Sequence, residues 1–146
     1  MPSKEIKELR QLGKLEEAYT MASEELQADP TNLWAKRNMS WVLYTQLDSK
    51  ASSGIADFIS KIEEVKSLEL PSNEEMFFEN ICIVIAKAAR AISGNTLIDY
   101  EKLYHLFDAI KELPFHRNSK WYSVMLGALH KAFKESFRYK IGRAHV

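Results

Sequence analysis

Cysteine is almost absent from the chain. The single residue, Cys82, excludes an internal disulfide, sits in an apolar run and reads as a small buried hydrophobe. Net charge is absent as well. Twenty basic side chains are matched by 20 acidic ones, which excludes a general polyanion binder and leaves only a local basic patch. The five glycines, Gly13, Gly54, Gly94, Gly127 and Gly142, are scattered, so no loop is built to cradle a phosphate. Histidine is sparse. His105 and His130 lie in different helical stretches with no second ligand a turn away, His116 falls in a loop, and His145 is in the last residues. Metal sites need clustered ligands, so no metal and no cofactor are expected. No serine or cysteine stands in a nucleophile motif. Neighbouring acids such as Glu16-Glu17 and Glu63-Glu64 belong to solvated helix faces, so no catalytic residue and no enzyme activity are expected. Long apolar runs are missing too. Ile81 to Ala86 stops at Lys87, far short of a bilayer span, and the first ten residues are charged without an apolar signal core, so a cytoplasmic chain with no membrane partner is expected.

What is present is a globular composition, 46% hydrophobic and 27% charged over 146 residues. A chain of this size buries about two-thirds of its unfolded surface and needs no staple. The apolar residues recur at helical spacing throughout. Seven helices and no strand are expected: residues 3–12 (stripe Ile6, Leu9, Leu12), 15–28, 32–48, 55–68, 73–92, 99–113 and 120–139. Asn32 is an N-cap for the third, whose apolar positions are Leu33, Trp34, Met39, Val42 and Leu43. Ser52 or Ser53 is expected to cap the fourth. Ser72 and Glu75 read as a capping box for the fifth, which is apolar nearly all round and therefore central. The sixth turns Tyr100, Leu103, Leu106, Phe107 and Ile110 inward, and Ser119 caps the seventh. The connections are short, so successive helices are expected to be antiparallel neighbours: three hairpins and a last helix without a partner. The stretch Phe115 to Tyr122, basic and aromatic together, reads as a loop with a helix cap.

The chain is organised around Gly13 to Tyr44. Ala18 and Ala22, one turn apart, form a small-residue face flanked by Leu15, Met21 and Leu26, and Asp29-Pro30 stops that helix. With Gly13, Ala18 and Pro30 spaced as they are, this stretch resembles the second half of a tetratricopeptide repeat, followed by the first helix of the next. The likeness has gaps. Ala22 stands where a large aromatic is usual, the upstream helix lacks the pattern's tryptophan and tyrosine, and no second Gly, Ala and Pro set follows Tyr44. The resemblance implies an all-α, tetratricopeptide-like solenoid of stacked helix pairs whose first helices line a groove. Carried over by position, the groove residues are Lys7, Arg10, Arg37, Trp41 and Tyr44. Basic groups beside aromatic faces suit an acidic peptide, a C-terminal carboxylate or single-stranded nucleic acid.

The last six residues, Ile141 to Val146, resemble the translation of a common sequencing adapter. They are expected to be foreign, with residues 1–140 a helical domain continuing natively past Lys140. Phrases such as KEIKELRQLGKLEEA and LPSNEEMFFEN resemble the N-terminal helical region of bacterial tetratricopeptide proteins, some of which carry OB-fold or cold-shock-like modules and belong to conflict systems. Two functions follow from these likenesses. One is a non-catalytic scaffold binding a protein or peptide partner through the groove. The other is the helical arm of a nucleic-acid-associated regulatory or defence protein, with nucleic acid held by an OB-fold-like domain outside this chain.

Overall fold

The computed structural model describes residues 2–92 and 97–144, with side chains for 3–92 and 100–136. The described residues form seven helices and no strand: α1 (Pro2–Gln11), α2 (Leu15–Ala28), α3 (Leu33–Lys50), α4 (Ile55–Ser67), α5 (Glu75–Ala91), α6 (Leu97–Ile110) and α7 (Lys120–Ala144). The fold is all-α, as the periodicity requires.

Gly13 turns α1 into α2. Its φ of 78° lies in the left-handed region, which costs an L side chain energy and costs glycine nothing. The turn lays α2 against α1, and α2 then presents Ala18 and Ala22 to the interior, both at 0% exposure. With no side chain beyond Cβ at either position, α3 packs broadly against α2 and also reaches α1. Asn32 caps α3, its side chain accepting from the N–H groups of Trp34 at 2.8 Å and Ala35 at 3.2 Å.

Beyond the first three helices the contacts skip along the chain. The first, third, fifth and seventh helices touch in succession, and on the other side α4 packs on α6. The broadest contact is α5 with α7, so the seventh helix is not solitary: it rests on α5 and on α6, while α5 touches its chain neighbour α6 little. Small side chains account for this closeness. Ala86, Ala88 and Ala89 of α5 are buried, as is Ala132 of α7, and helices approach more closely where the contacting side chains are small. Phe77, Phe78, Ile81, Cys82, Val84 and Ile85 complete the buried set of α5, which makes it the central helix; Met76 and Ile83 alone of its large apolar residues are exposed.

Several local expectations are corrected. Leu12 is exposed, because α1 has ended before it and the chain turns away at Gly13. Trp34 is 66% exposed and Leu33 is at the surface: the buried stripe of α3 runs through Ala35, Met39, Val42, Leu43 and Leu47, and Trp34 lies a helical step off it. The capping box at Ser72 does not form. Helix α5 starts later, after Glu74, with no side-chain cap, and the Ser72 carbonyl instead accepts from His116 Nε2–H at 2.7 Å. Helix α4 starts after Gly54, not capped by Ser52 or Ser53. Helix α6 ends at Ile110 rather than Leu113, and its Phe107 points out. Ser119 does cap α7, its Oγ accepting from Trp121 N–H at 3.2 Å. Helix α7 runs on through Ile141 to Ala144, and His145 and Val146 lie outside the described residues. The stretch from Phe115 to Tyr122 is a loop and cap tied into the body: Phe115 meets Phe78 edge-to-face and Tyr122 at a tilt, and Ser119 Oγ donates to Glu79 at 3.4 Å.

Two glycines should respond to alanine with opposite sign. Gly13→Ala, at positive φ, is expected to lose about 1–2 kcal/mol. Gly127→Ala, inside α7 with nothing within 4 Å of the new Cβ, is expected to gain about 0.5–1 kcal/mol. Ala18→Leu should cost about 1–3 kcal/mol by overpacking the α2–α3 contact. Urea midpoints with an unchanged denaturant slope measure all three.

Candidate functional site: the cleft between α1 and α3

One face of α1 carries Ser3, Ile6, Lys7 and Arg10, spaced so that a helix stacks them in a row. Facing it, α3 carries Trp34, Asn38 and Trp41, again one turn apart. Between the two rows lies an open cleft of about 820 Å³, closed along its floor by Glu25 of α2. Asn38 braces it. Its Nδ2 donates to Ser3 Oγ at 2.9 Å and to Glu25 Oε1 at 2.8 Å, so a single amide ties three helices.

The sequence-derived groove residues divide here. Lys7, Arg10 and Trp41 line the cleft; Arg37 and Tyr44 do not. The Arg10 guanidinium stands 5.9 Å from the Trp41 ring centre, within the range of a cation–π contact. Trp41 is half-buried and meets Phe77 of α5 edge-on at 5.5 Å and Tyr44 at 5.6 Å, so it is both wall and core. Arg37 is turned aside into an ion pair with Glu74, at the start of α5, while its guanidinium covers the Trp34 ring at 5.0 Å. Tyr44 is further along α3. Burial, and then the Asp48 carboxylate, raise its phenol above the ordinary value against the opposing pull of Lys87 and Arg10. Lys87 is in turn paired with Asp48 at 3.2 Å, joining α5 to α3.

Among the described residues neither Lys7 nor Arg10 is in an ion pair. Glu25, the one acid in the cleft, is occupied by Asn38. The cleft therefore offers two cations, an exposed indole, a half-buried indole and one carboxylate that accepts from Asn38. Trp34 and the Asn38 brace were missed from the sequence. The signal for Trp34 was the phase of α3: with Ala35 taken as the start of the buried stripe, the indole one residue earlier must face out. Asn38 and Glu25 meet only through the packing of α2 on α3.

Elsewhere among the described residues no three His, Cys, Asp or Glu side chains come together as a ligand set for a metal. Among the described residues no helix is long and apolar enough to cross a membrane. The Cys82 thiol is buried, and burial, with Glu79 adding to it, pushes it up to about 12, which leaves it protonated and inert as a nucleophile near neutrality. Comparison of the chain with known protein families, characterised proteins and solved structures finds no match.

Two tests follow from this geometry. Trp34→Ala should change stability by no more than about 0.5 kcal/mol, as an exposed substitution, whereas Trp41→Ala should cost about 3 kcal/mol for the contacts it loses. Cys82 should react with a disulfide reagent at pH 8 only on unfolding. Its folded pKa lies above the unfolded one, so the stability linked to it is full below pH 9 and is lost as the pH climbs towards 12. Flat urea midpoints from pH 8 to 11 would contradict this.

Proposed function

We propose that the chain is a non-catalytic scaffold for protein–protein contact. On this reading it is a tetratricopeptide-like α-solenoid of helix pairs, working in the cytoplasm, that takes an acidic segment of a partner along the face made by α1 and α3. The succession of contacts from α1 through α3 and α5 to α7, with α4 on α6 behind, supports the stacked arrangement. The observation that carries the function is the pairing of cations with rings in the cleft. Lys7 and Arg10 line the cleft with Trp41 and the open Trp34, two cations to the single carboxylate of Glu25, which accepts from Asn38 through Oε1. An extended acidic peptide with an apolar side chain satisfies both: its carboxylates meet the cations and its apolar group meets the indole. Arg37 contributes by holding the Trp34 ring from one side, which keeps the other side open.

A displayed library of random peptides selected on the purified chain tests this. Acidic sequences should be enriched, and Lys7→Glu with Arg10→Glu should weaken them at least tenfold, about 1.4 kcal/mol or more. Trp34→Ala should weaken them as well. Arg37→Glu is a poor probe, since it sets a second carboxylate against Glu74. Selection without acidic enrichment, or binding indifferent to the two charge reversals, would overturn the reading. The open Trp34 ring beside Arg37 is also a surface on which an unpaired base stacks. This favours a second reading, the helical arm of a nucleic-acid-associated regulatory or defence protein. Salt-sensitive binding of a 20-nucleotide oligo-dT, lost with Trp34→Ala, would select it over the first.

A further inference from the structure

On the side of α3 away from the cleft, α2 and α4 both rest on α3 without packing broadly on each other. The space between them is a cavity of about 330 Å³. Its apolar wall is Leu26 and Pro30 from the α2 end, Met39 and Leu43 from α3, and Leu68 after α4. One end is closed by a strut. Tyr19 of α2 donates its hydroxyl to Glu64 Oε1 of α4 at 2.7 Å, and Lys61 sits 4.4 Å from the Tyr19 ring centre and 3.1 Å from Glu64 Oε2. The strut links the two helices at this end of the gap.

We infer that this cavity is a binding site for a small molecule with an apolar body and a protonated amine or other hydrogen-bond-donor head. Its volume falls at the lower end of the range for small-molecule pockets, and its lining, mostly apolar with a few polar groups to one side, is of the kind such pockets have. The class of ligand follows from charge. Glu64 is the only charged group in the wall; Lys61 approaches the carboxylate from outside the lining set. An anion would meet a carboxylate with no cation facing the cavity. Glu64 Oε2 is buried against Lys61, so a donor head meets Oε1 beside the Tyr19 hydroxyl and finds further acceptors in Ser23, Gln27 and Ser67, which complete the polar edge. The site is independent of the cleft: the two lie on opposite faces of α3 and share no lining residue.

Three probes with one ring system and different heads test it: tryptamine, the neutral alcohol tryptophol, and indole-3-acetate. The reporter is the Met39 methyl signal in protein carrying ¹³C-methyl methionine, with Met125, buried on α7, as the internal control. Tryptamine should shift Met39 saturably and leave Met125 in place, binding at least tenfold tighter than indole-3-acetate, with tryptophol between. Glu64→Gln, which keeps an acceptor for Tyr19, should bring tryptamine and indole-3-acetate to within about threefold, and Ser23→Trp, which fills the rim, should abolish the shift. The Lys7→Glu, Arg10→Glu variant should bind tryptamine as the parent does, so failure here and failure of the cleft reading are told apart. No saturable Met39 shift with any probe, a preference for indole-3-acetate, or an equal shift in folded Ser23→Trp protein would overturn the inference. If Glu64→Gln or Ser23→Trp loses its helical circular dichroism, the order of the three probes on the parent chain decides.

Discussion

Ala18 and Ala22 have nothing beyond Cβ, and that absence governs the first half of the molecule. A larger side chain at either position would push α3 off α2. With α3 displaced, Asn38 would no longer reach Glu25 and Ser3 together, and the row from Trp34 to Trp41 would no longer face the row from Ser3 to Arg10. Met39 and Leu43, on another face of α3, line the recess between α2 and α4. Helix α3 thus borders a polar cleft on one face and an apolar recess on another.

Charge plays a lesser part in holding the fold. Lys66 of α4 pairs with Glu112, just past α6, at 2.8 Å, and Lys87 of α5 with Asp48 of α3. These pairs are largely exposed, and exposed pairs contribute about 0–1 kcal/mol each. They align neighbours that the core has already brought together. Fully burying a side chain such as Phe58, Ile62 or Ile85 is worth about 1.5–3 kcal/mol, so packing outweighs the ion pairs many times over. Arg37 and Glu74 matter differently. Their pairing removes a cation from the cleft and props the Trp34 ring open, so it shapes the candidate surface more than it stabilises the chain.

Much of the architecture was legible in the residues. The prolines at 30, 71 and 114 fall between helices, Asn32 and Ser119 cap where a side-chain acceptor is needed, and the predominantly apolar character of Met76 to Ala89, broken only at Glu79, Asn80 and Lys87, marks the central helix. Three of the five groove residues, Lys7, Arg10 and Trp41, line one cleft because helical spacing alone puts them on the facing rows of α1 and α3. Arg37 and Tyr44 lie on α3 outside that lining. A residue's face is visible from its position, but which neighbour captures a long side chain depends on Glu74, 37 residues further on.

Local chemistry therefore carried the helix count, the turns and the buried stripes, since each depends on residues within a turn or two of one another. It did not carry the partners of the polar side chains, the preference of α5 for α7 over α6, or the gap between α2 and α4. Those depend on the angle and distance at which whole helices meet. Angle and distance come from the summed shapes of side chains far apart along the chain, which no window of sequence contains.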